Sequence, residues 1–288
     1  MVEPFEQYRP KLLALAYRML GSATEAEDIL QDAYLRYQGA QNQVIQSPQA
    51  FLTTVVTRLC LTELTSARAQ RETYLGPWLP EPVLTEGPGE FIDPSQRASD
   101  HESISLAFLV LLENLTPSER AVFILREVFD YEYREIADIL EKSEAACRQL
   151  FSRAKAYLAV NRPRYKSTPE DHRRLLERFI EAIEYGELSR LVDLLAENVT
   201  FWADGGGKVK GAATHPMHGR IAVAQFLLAV RQFAPEGYHH AVQVLNGMPA
   251  LVLRTKEGMP FTVLSIEVNE DYIYEIRGVA DPDKLRHL

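Results

Sequence analysis

The sequence predicts a multidomain protein in which two all-α domains, the second with a helix-turn-helix, precede an α+β domain. Three observations predict this architecture. Apolar residues recur at helical spacing through residues 5–75 and again through 104–160. Between these regions, residues 76–103 are rich in acidic residues and also in proline and glycine, which interrupt a helix. From Thr168 onward, two amphipathic helices are followed by segments rich in Val, Ile, Phe and Tyr, which favour strands.

The composition is typical of a globular protein, since 46% of the 288 residues are hydrophobic and 25% are charged. No window reaches the roughly 18 apolar residues that a membrane helix needs. The first residues also lack a basic segment followed by an apolar one. We therefore expect no membrane span, no secretory signal and a cytoplasmic location. Cys60 and Cys147 lie in apolar helical patterns without partners at metal-ligand spacing, which predicts buried thiols and no metal site.

The first domain is predicted to hold three helices. The first contains the apolar residues from Leu12 to Leu20 and is interrupted by Gly21 and Ser22. Ser22 or Thr24 can cap the second helix, which runs from Glu25 to Tyr37. A third helix begins near Ser47 and Pro48, where a capping residue precedes a proline at the first helical position.

The second helix of this domain carries an acidic face opposite its apolar stripe. Its polar residues include Glu27, Asp28, Gln31 and Asp32. Such a face is either solvated or a docking surface for a basic partner, and composition alone favours the solvated face.

A helix-turn-helix is predicted from Glu135 to Arg153, where a short apolar helix, a tight turn and a second helix capped by Ser143 follow each other. The second helix presents side chains of the types that read base edges and grip phosphates. They are Glu144, Arg148, Gln149, Ser152 and Arg153. The turn holds Glu141 and Lys142 where glycine is common, and a non-glycine residue at positive φ costs about 1–2 kcal/mol.

Charge distribution bears on this interpretation. The net charge of −9 argues against nucleic acid for the whole chain. The segment 142–166 is strongly basic, however, because it has seven basic residues and one acidic residue. Two ordinary helices with a solvated basic face remain the alternative to DNA binding.

The last domain, residues 168–288, is expected to be a cone of helices on a curved sheet with a pocket. Helices are predicted at 169–185, 187–196 and 219–233, and strands near 197–203, 239–246, 249–255, 260–269 and 271–279. Its candidate acid–base residues are Asp204, His215, His218, His239 and His240. No nucleophile motif accompanies them. The loop Asp204–Lys208 contains three consecutive glycines, which indicates either a flexible hairpin or a close backbone approach.

Two motifs resemble a known family. Residues 26–36 resemble the polymerase-binding helix of extracytoplasmic-function (ECF) sigma factors, and residues 115–153 resemble the fourth conserved region of that family. Further segments are similar to the ECF group with a SnoaL-like carboxy-terminal extension. They are 54–59, 66–68, 72–82, 204–208 and 281–285.

The resemblance implies four parts: a sigma region 2 domain at 1–75, an acidic linker at 76–103, a region 4 domain at 104–162 and a SnoaL/NTF2-like regulatory domain at 168–288. It implies a sigma factor that binds core RNA polymerase and directs promoter recognition and initiation. The extension would modulate this activity in cis, in place of a separate anti-sigma factor. The chain would be no enzyme and would need no cofactor.

Roles of single residues follow from the same resemblance. Glu27, Asp28, Gln31 and Asp32 would bind the polymerase, whose β′ and β subunits are the expected partners. Arg58, Arg68 and Arg71 would lie near the minus-ten strand, although residues 61–65 depart from the family pattern there. Ser143, Arg148, Gln149, Ser152 and Arg153 would meet the minus-thirty-five element. The interdomain regulatory residues would be Trp78, Asp204, Gly205, Gly206, Gly207, Lys208, Asp283 and Lys284.

Two other functions stay open from the residues alone. The first is a one-component helix-turn-helix regulator whose α+β domain senses a ligand, but such a regulator does not need the acidic helix. The second is a SnoaL-type enzyme with fused DNA-binding helices, which would need paired acid–base groups at its pocket. A small ligand in the carboxy-terminal pocket is compatible with the sigma-factor prediction as well.

Overall fold

The structure is a computed structural model that describes residues 4–40, 45–71, 74–86, 91, 103–161, 168–269 and 271–288. The chain divides into two compact units. The first unit contains residues 1–72 and 87–162, and the second contains residues 73–86 and 163–288.

Three helices form the first half of the first unit: α1 (Pro4–Leu20), α2 (Ala23–Gly39) and α3 (Pro48–Arg71). Ser22 is the N-cap of α2, and its side chain accepts a hydrogen bond from the Glu25 backbone N–H at 3.1 Å. Apolar side chains at helical spacing fill the space between the helices. The core includes Leu13, Leu20, Ile29, Leu30, Leu52 and Val56, all at most 7% exposed.

The second half of the first unit is also helical. It contains α4 (Leu106–Glu113), α5 (Pro117–Phe123), a π-helical turn (Ile124–Val128), α6 (Tyr133–Leu140) and α7 (Glu144–Asn161). A capping box between Thr116 and Glu119 begins α5, with a proline at the next position. Arg120 of α5 is 2% exposed and donates to the Glu113 carboxylate, and burial lowers the pKa of Arg120 to about 9.

The second unit packs helices on a six-stranded sheet. Its elements in chain order are α8 (Pro169–Tyr185), α9 (Leu188–Leu194), β1 (Leu195–Asp204), β2 (Met217–His218), α10 (Arg220–Val230), β3 (His239–Leu245), β4 (Met248–Arg254), β5 (Pro260–Val268) and β6 (Ile273–Val279). The strand order is β2-β1-β6-β5-β4-β3. β1 runs parallel to β6, and the other neighbours are antiparallel. Two 3-10 turns, Arg231–Phe233 and Pro282–Leu285, complete the unit.

The predicted fold class is confirmed: helical domains, the second with a helix-turn-helix, precede an α+β domain. The apolar core of the second unit lies between the helices and the sheet, where Phe179, Leu194, Val199, Val223 and Ile276 are at most 3% exposed. The predicted helix 187–196 is shorter than expected, because β1 begins at Leu195. The two-residue strand β2 was not predicted, since two residues carry no periodic signal.

Residues 74–86, most of which were expected to be linker, belong to the second unit. They follow the edge strand β3: Leu84 forms a β-bridge with Leu245, and the Thr85 N–H donates to the Val244 carbonyl at 3.0 Å. Proline cannot continue a helix, but an extended Pro-rich chain can cover a sheet edge. The carboxy-terminal unit therefore includes this segment in addition to the expected residues from 168 onward.

Among the residues described above, no helix is both long and apolar enough to cross a membrane.

Candidate functional site

The predicted acidic residues form an exposed ridge on α2. Asp28, Gln31 and Asp32 are exposed, and Glu27 beside them is half-buried. Leu35 continues the same line at helical spacing and is 57% exposed. We call Asp28, Gln31, Asp32 and Leu35 the acidic ridge. Sequence reasoning missed Leu35, although its spacing of seven residues from Asp28 could have indicated it.

The helix-turn-helix consists of α6, a three-residue turn and α7. Glu141 ends α6 in the left-handed conformation, with φ of 54°, so the turn uses the expected geometry without the usual glycine. Ser143 caps α7, because its hydroxyl accepts from the Ala146 N–H at 3.2 Å. The buried contacts between the two helices include Ile136, Ala137, Cys147, Leu150 and Ala154, each at most 9% exposed.

The outward face of α7 carries the predicted DNA-reading residues. Arg148, Gln149, Ser152 and Arg153 are all exposed. The Arg148 guanidinium lies 4.3 Å from the centre of the Tyr133 ring and 3.4 Å from the Glu144 carboxylate. The ring face and the carboxylate both attract this guanidinium and restrict its position.

The Arg153 side chain of α7 is bonded to the first turn of α5. Its Nε donates to the Glu119 carboxylate at 2.7 Å. Burial acts to raise the pKa of the Glu119 carboxyl, but hydrogen bonds from Thr116 and Arg153 outweigh it, so the pKa is lowered. Arg153 therefore joins α7 to the start of α5, in addition to being exposed for a DNA contact.

Arg58, a predicted minus-ten residue, contacts the helix-turn-helix. Its Nε donates to the Ile139 carbonyl at 2.9 Å, and a second nitrogen donates to the Asp138 carbonyl at 3.2 Å. The guanidinium also lies 2.9 Å from the Glu141 carboxylate. Arg58 thus caps the carboxyl end of α6, where helix carbonyls are otherwise unpaired. The side chains of Arg68 and Arg71 lie outside the described residues.

Other contacts accompany the Arg58 contact between the two halves of the first unit. The hydroxyls of Thr53 and Tyr131 are 2.8 Å apart. The Lys11 ammonium lies 5.5 Å from the centre of the Tyr131 ring. The predicted minus-ten and minus-thirty-five elements are therefore packed against one another in this conformation.

The second unit brings Asp204 and Lys284 together in a buried ion pair, with 2.7 Å between the carboxylate and the ammonium. The side chains of Asp204 and Lys284 are 0% and 8% exposed. Leu79 bonds to both partners, since its N–H donates to Asp204 at 2.7 Å and its carbonyl accepts from Lys284 at 2.6 Å. We call Asp204, Lys284 and the Leu79 backbone the clamp.

Two aromatic rings of the 74–86 segment surround the clamp. The Lys284 ammonium lies 4.2 Å from the centre of the Trp78 ring and 5.1 Å from that of Tyr74. The Tyr74 hydroxyl donates to Asp204 at 2.5 Å. Burial is the main cause that raises the pKa of Tyr74, and the Asp204 carboxylate raises it further. Burial lowers the pKa of Lys284, although Asp204 acts to raise it. Lys284 is thus buried and Tyr74 is half-buried where they hold this segment.

The glycines after Asp204 allow a close approach of two loops. A Cβ at Gly206, where φ is 61°, would lie 2.3 Å from the Asp281 carboxylate. A Cβ at Gly205 would lie 2.6 Å from that of Ala212, and one at Gly207 would meet Leu75 at 3.2 Å. The glycine run is therefore a close-contact loop, the second of the two interpretations that the sequence left open.

Lys208 completes this cluster by bonding to Asp281 at 2.9 Å and to Asp283. All eight predicted interdomain residues thus lie in one cluster of the second unit. Sequence reasoning did not single out Tyr74, Leu79 or Asp281, although each lies within or beside a quoted motif. A backbone contact such as that of Leu79 leaves no signal in residue types.

The candidate acid–base residues are not gathered into one site. Asp204 is enclosed in the clamp, and His218 accepts or donates a hydrogen bond with Thr200 at 3.1 Å. His240 lines a cavity of the second unit, where its Nδ1 lies 2.9 Å from the Glu184 carboxylate. No group of three metal-ligating side chains occurs within the described ranges.

Comparison with known proteins shows what this arrangement is. The family described as sigma-70 region 2 matches residues 4–70, and the family described as sigma-70, region 4 matches residues 105–158. The chain is 36% identical to the ECF RNA polymerase sigma factor SigJ of Mycobacterium tuberculosis over 98% of this chain and 92% of SigJ. It is 34% identical to the probable ECF RNA polymerase sigma factor SigI of the same species, over 98% of this chain and 93% of SigI.

A crystal structure of Mycobacterium tuberculosis SigJ covers 99% of this chain and 98% of the SigJ chain, with a TM-score of 0.74 and 33% identity. Two helical domains that match sigma-70 regions 2 and 4 define a promoter-recognition factor of bacterial RNA polymerase. The chain belongs to the family of ECF RNA polymerase sigma factors. The family implies core RNA polymerase and promoter DNA as partners, and a one-component regulator is not favoured.

Proposed function

We propose that the acidic ridge is the surface through which this sigma factor binds a basic element of the polymerase β′ subunit. The observation that supports this is the line of Asp28, Gln31 and Asp32 with an exposed Leu35 at its end. Carboxylates attract the basic partner and set its register, while the leucine supplies apolar area.

Charge reversal tests this surface. Asp28→Lys and Asp32→Lys should each reduce recovery of core polymerase in a pull-down by at least tenfold, since like charges across an interface repel. Glu6→Lys is the matched control, because Glu6 is an exposed acid of α1 outside the ridge. Equal recovery with the ridge variants and the control would assign polymerase binding to another surface.

The outward face of α7 is proposed to read the minus-thirty-five element. Arg148, Gln149 and Ser152 are exposed side chains that form hydrogen bonds with base edges and phosphates in a major groove. Ser143, at the start of α7, and Arg153 are proposed to contact the sugar-phosphate backbone of the DNA. The aromatic support of Arg148 favours a base contact, because a fixed guanidinium can form two hydrogen bonds with one guanine.

The Arg58 contact is proposed to compete with promoter binding. A guanidinium that caps α6 cannot contact a minus-ten phosphate at the same time. Arg58 is 44% exposed and its partner Glu141 is 75% exposed, so the ion pair itself is worth about 0–1 kcal/mol. Breaking this ion pair therefore costs little free energy, while the hydrogen bonds from Arg58 to the Ile139 and Asp138 carbonyls add to the cost of separating α3 from α6.

The carboxy-terminal unit is proposed to modulate activity in cis through the clamp. Residues 74–86 lie in the stretch that connects α3 to α4, and the clamp fixes them on the second unit. A fixed segment shortens the reach of that connection and so limits how far the two DNA-binding parts can separate. No reaction is assigned to the chain, and a separate anti-sigma factor is not required by this scheme.

Run-off transcription with core polymerase tests the cis effect. Deletion of residues 168–288 should change the amount of promoter-directed transcript at equal protein concentration. The effect should be reproduced by Lys284→Met, which loosens the clamp, and not by Asp283→Asn, whose side chain is 51% exposed. Unchanged transcription by both the deletion and Lys284→Met would remove the regulatory claim but leave the assignment as a sigma factor.

A further inference from the structure

The second unit encloses a cavity of about 360 Å³ between its helices and its sheet. This volume falls in the range of roughly 300–1,000 Å³ that small-molecule sites occupy. Its lining is mainly carbon, with Phe201, Phe226, Leu251 and Phe261 among the contributing side chains. Protein interiors are close-packed, so an apolar space of this size has a physical use.

Charged and polar side chains are a minority of the lining, and they include Lys210, Arg231 and the pair of His240 and Glu184. His240 and Glu184 both contribute to its lining, with 2.9 Å between the imidazole Nδ1 and the carboxylate. Walls that are mainly apolar, with a few polar side chains, favour a ligand that is mostly apolar and has a hydrogen-bonding group.

The walls of the cavity are continuous with the clamp. The segment 209–212, directly after the glycine loop, lines one side, and Ala280 and Pro282 line another. Ala212 packs closely on Gly205, and the Ala280 N–H donates to the Asp204 carbonyl at 2.7 Å. A ligand that displaces either wall therefore changes the surroundings of Asp204.

We propose that this cavity binds a largely apolar small molecule and that its occupancy changes how firmly the clamp holds residues 74–86. The inference deepens the proposed cis regulation by giving it a ligand class. A ligand changes the clamp only if it binds one state of the clamp more tightly than the other. In that case the state of the clamp changes the affinity of the cavity for the ligand by the same factor.

Binding can be measured on the full-length chain with N-phenyl-1-naphthylamine, a neutral apolar fluorophore with one N–H group. We expect a saturable one-to-one rise in fluorescence. Val230→Trp, which fills the cavity from α10, should weaken binding at least tenfold. Ile221→Trp is the matched control, because Ile221 lies on the same helix, is 59% exposed and does not line the cavity. His240→Leu should weaken binding several-fold without disturbing the core, since His240 is exposed.

Coupling is measured by hydrogen exchange of the amides in residues 74–86 with and without saturating fluorophore. A change of at least threefold at Leu79 and Val83 is expected, and unchanged exchange would overturn the coupling. Fluorescence that does not saturate, or that is equal in wild type, Val230→Trp and His240→Leu, would overturn the site. These measurements need neither polymerase nor DNA, so their failure is distinct from failure of the proposed regulation of transcription.

Discussion

Lys284→Met removes the cation from the clamp while keeping a side chain of similar length. The substitution leaves the Asp204 carboxylate buried with its countercharge gone. Loss of one partner from a buried ion pair costs about 3–5 kcal/mol, because the remaining charge is unpaired in a poorly solvated site. The lost bond to the Leu79 carbonyl and the lost contact with Trp78 belong to the same cost and are not added to it.

The expected consequence is local release of residues 74–86. The Leu79 and Val83 amides are hydrogen-bonded to Asp204 and Asn246 at 2.7 and 3.0 Å, so they report directly on this segment. A cost of about 3–5 kcal/mol corresponds to exchange that is faster by roughly two to nearly four orders of magnitude, at 1.4 kcal/mol per tenfold. Native-state hydrogen exchange followed by mass spectrometry measures this change.

A matched control and a double variant sharpen the assay. Asp283→Asn alters an exposed carboxylate of the same cluster and should change exchange by less than about tenfold, since exposed pairs contribute about 0–1 kcal/mol. Asp204→Asn combined with Lys284→Met should be less damaging than the sum of the two single variants, because no buried charge then remains unpaired. Exchange at Leu79 within tenfold of wild type in Lys284→Met would refute the reasoning.

Three further outcomes are expected. Arg148→Ala should weaken minus-thirty-five binding by about 1–3 kcal/mol in a sequence-dependent way, measured by fluorescence anisotropy on consensus and mutated duplexes; an equal loss on every duplex would make Arg148 a phosphate contact. Glu141→Gly should be more stable than Glu141→Val by about 1–2 kcal/mol in amide exchange of α6 and α7, because glycine adopts positive φ without strain; equal exchange in the two variants would contradict the strained turn. Burial lowers the pKa of His172, so the stability that this group contributes is present above about pH 6.5 and is lost as pH falls towards the lowered folded value. Thermal unfolding between pH 7.5 and 5 should show a smaller acid loss for His172→Gln than for wild type, with the exposed His215→Gln as control; identical profiles for wild type and His172→Gln would exclude the effect.

The order of helices and strands was predictable because their signals are local. Capping residues, a proline at the first position of α3 and apolar periodicity identified α2, α3 and α7 within a few residues of their observed bounds. The outward residues of α2 and α7 followed from the same periodicity, because a buried stripe fixes the opposite face. The site residues of the helical domains could therefore be named from sequence, while their functional roles remain proposals.

The contacts of residues 58 and 74–86 could not be predicted in the same way. Arg58 was expected near phosphates from the family resemblance, and the structure places it on the carbonyls of α6. Most of residues 74–86 were predicted to be linker, because proline and glycine interrupt helices. Their hydrogen bonds to β3 use backbone atoms, which leave no signal in the types of side chain. Both contacts join segments distant in sequence, and in each case one partner is a backbone group.

The two contacts differ in strength, and this difference bears on how the factor is controlled. The Arg58–Glu141 pair is exposed to water and salt, so ionic strength and DNA phosphates can displace it at low cost. The clamp is buried, so salt screens it little, and its loss costs several kcal/mol. The exposed ion pair is therefore a weak part of the contact between α3 and α6. Release of residues 74–86 needs a change inside the second unit, and the cavity that shares a wall with the glycine loop is where a ligand could cause that change.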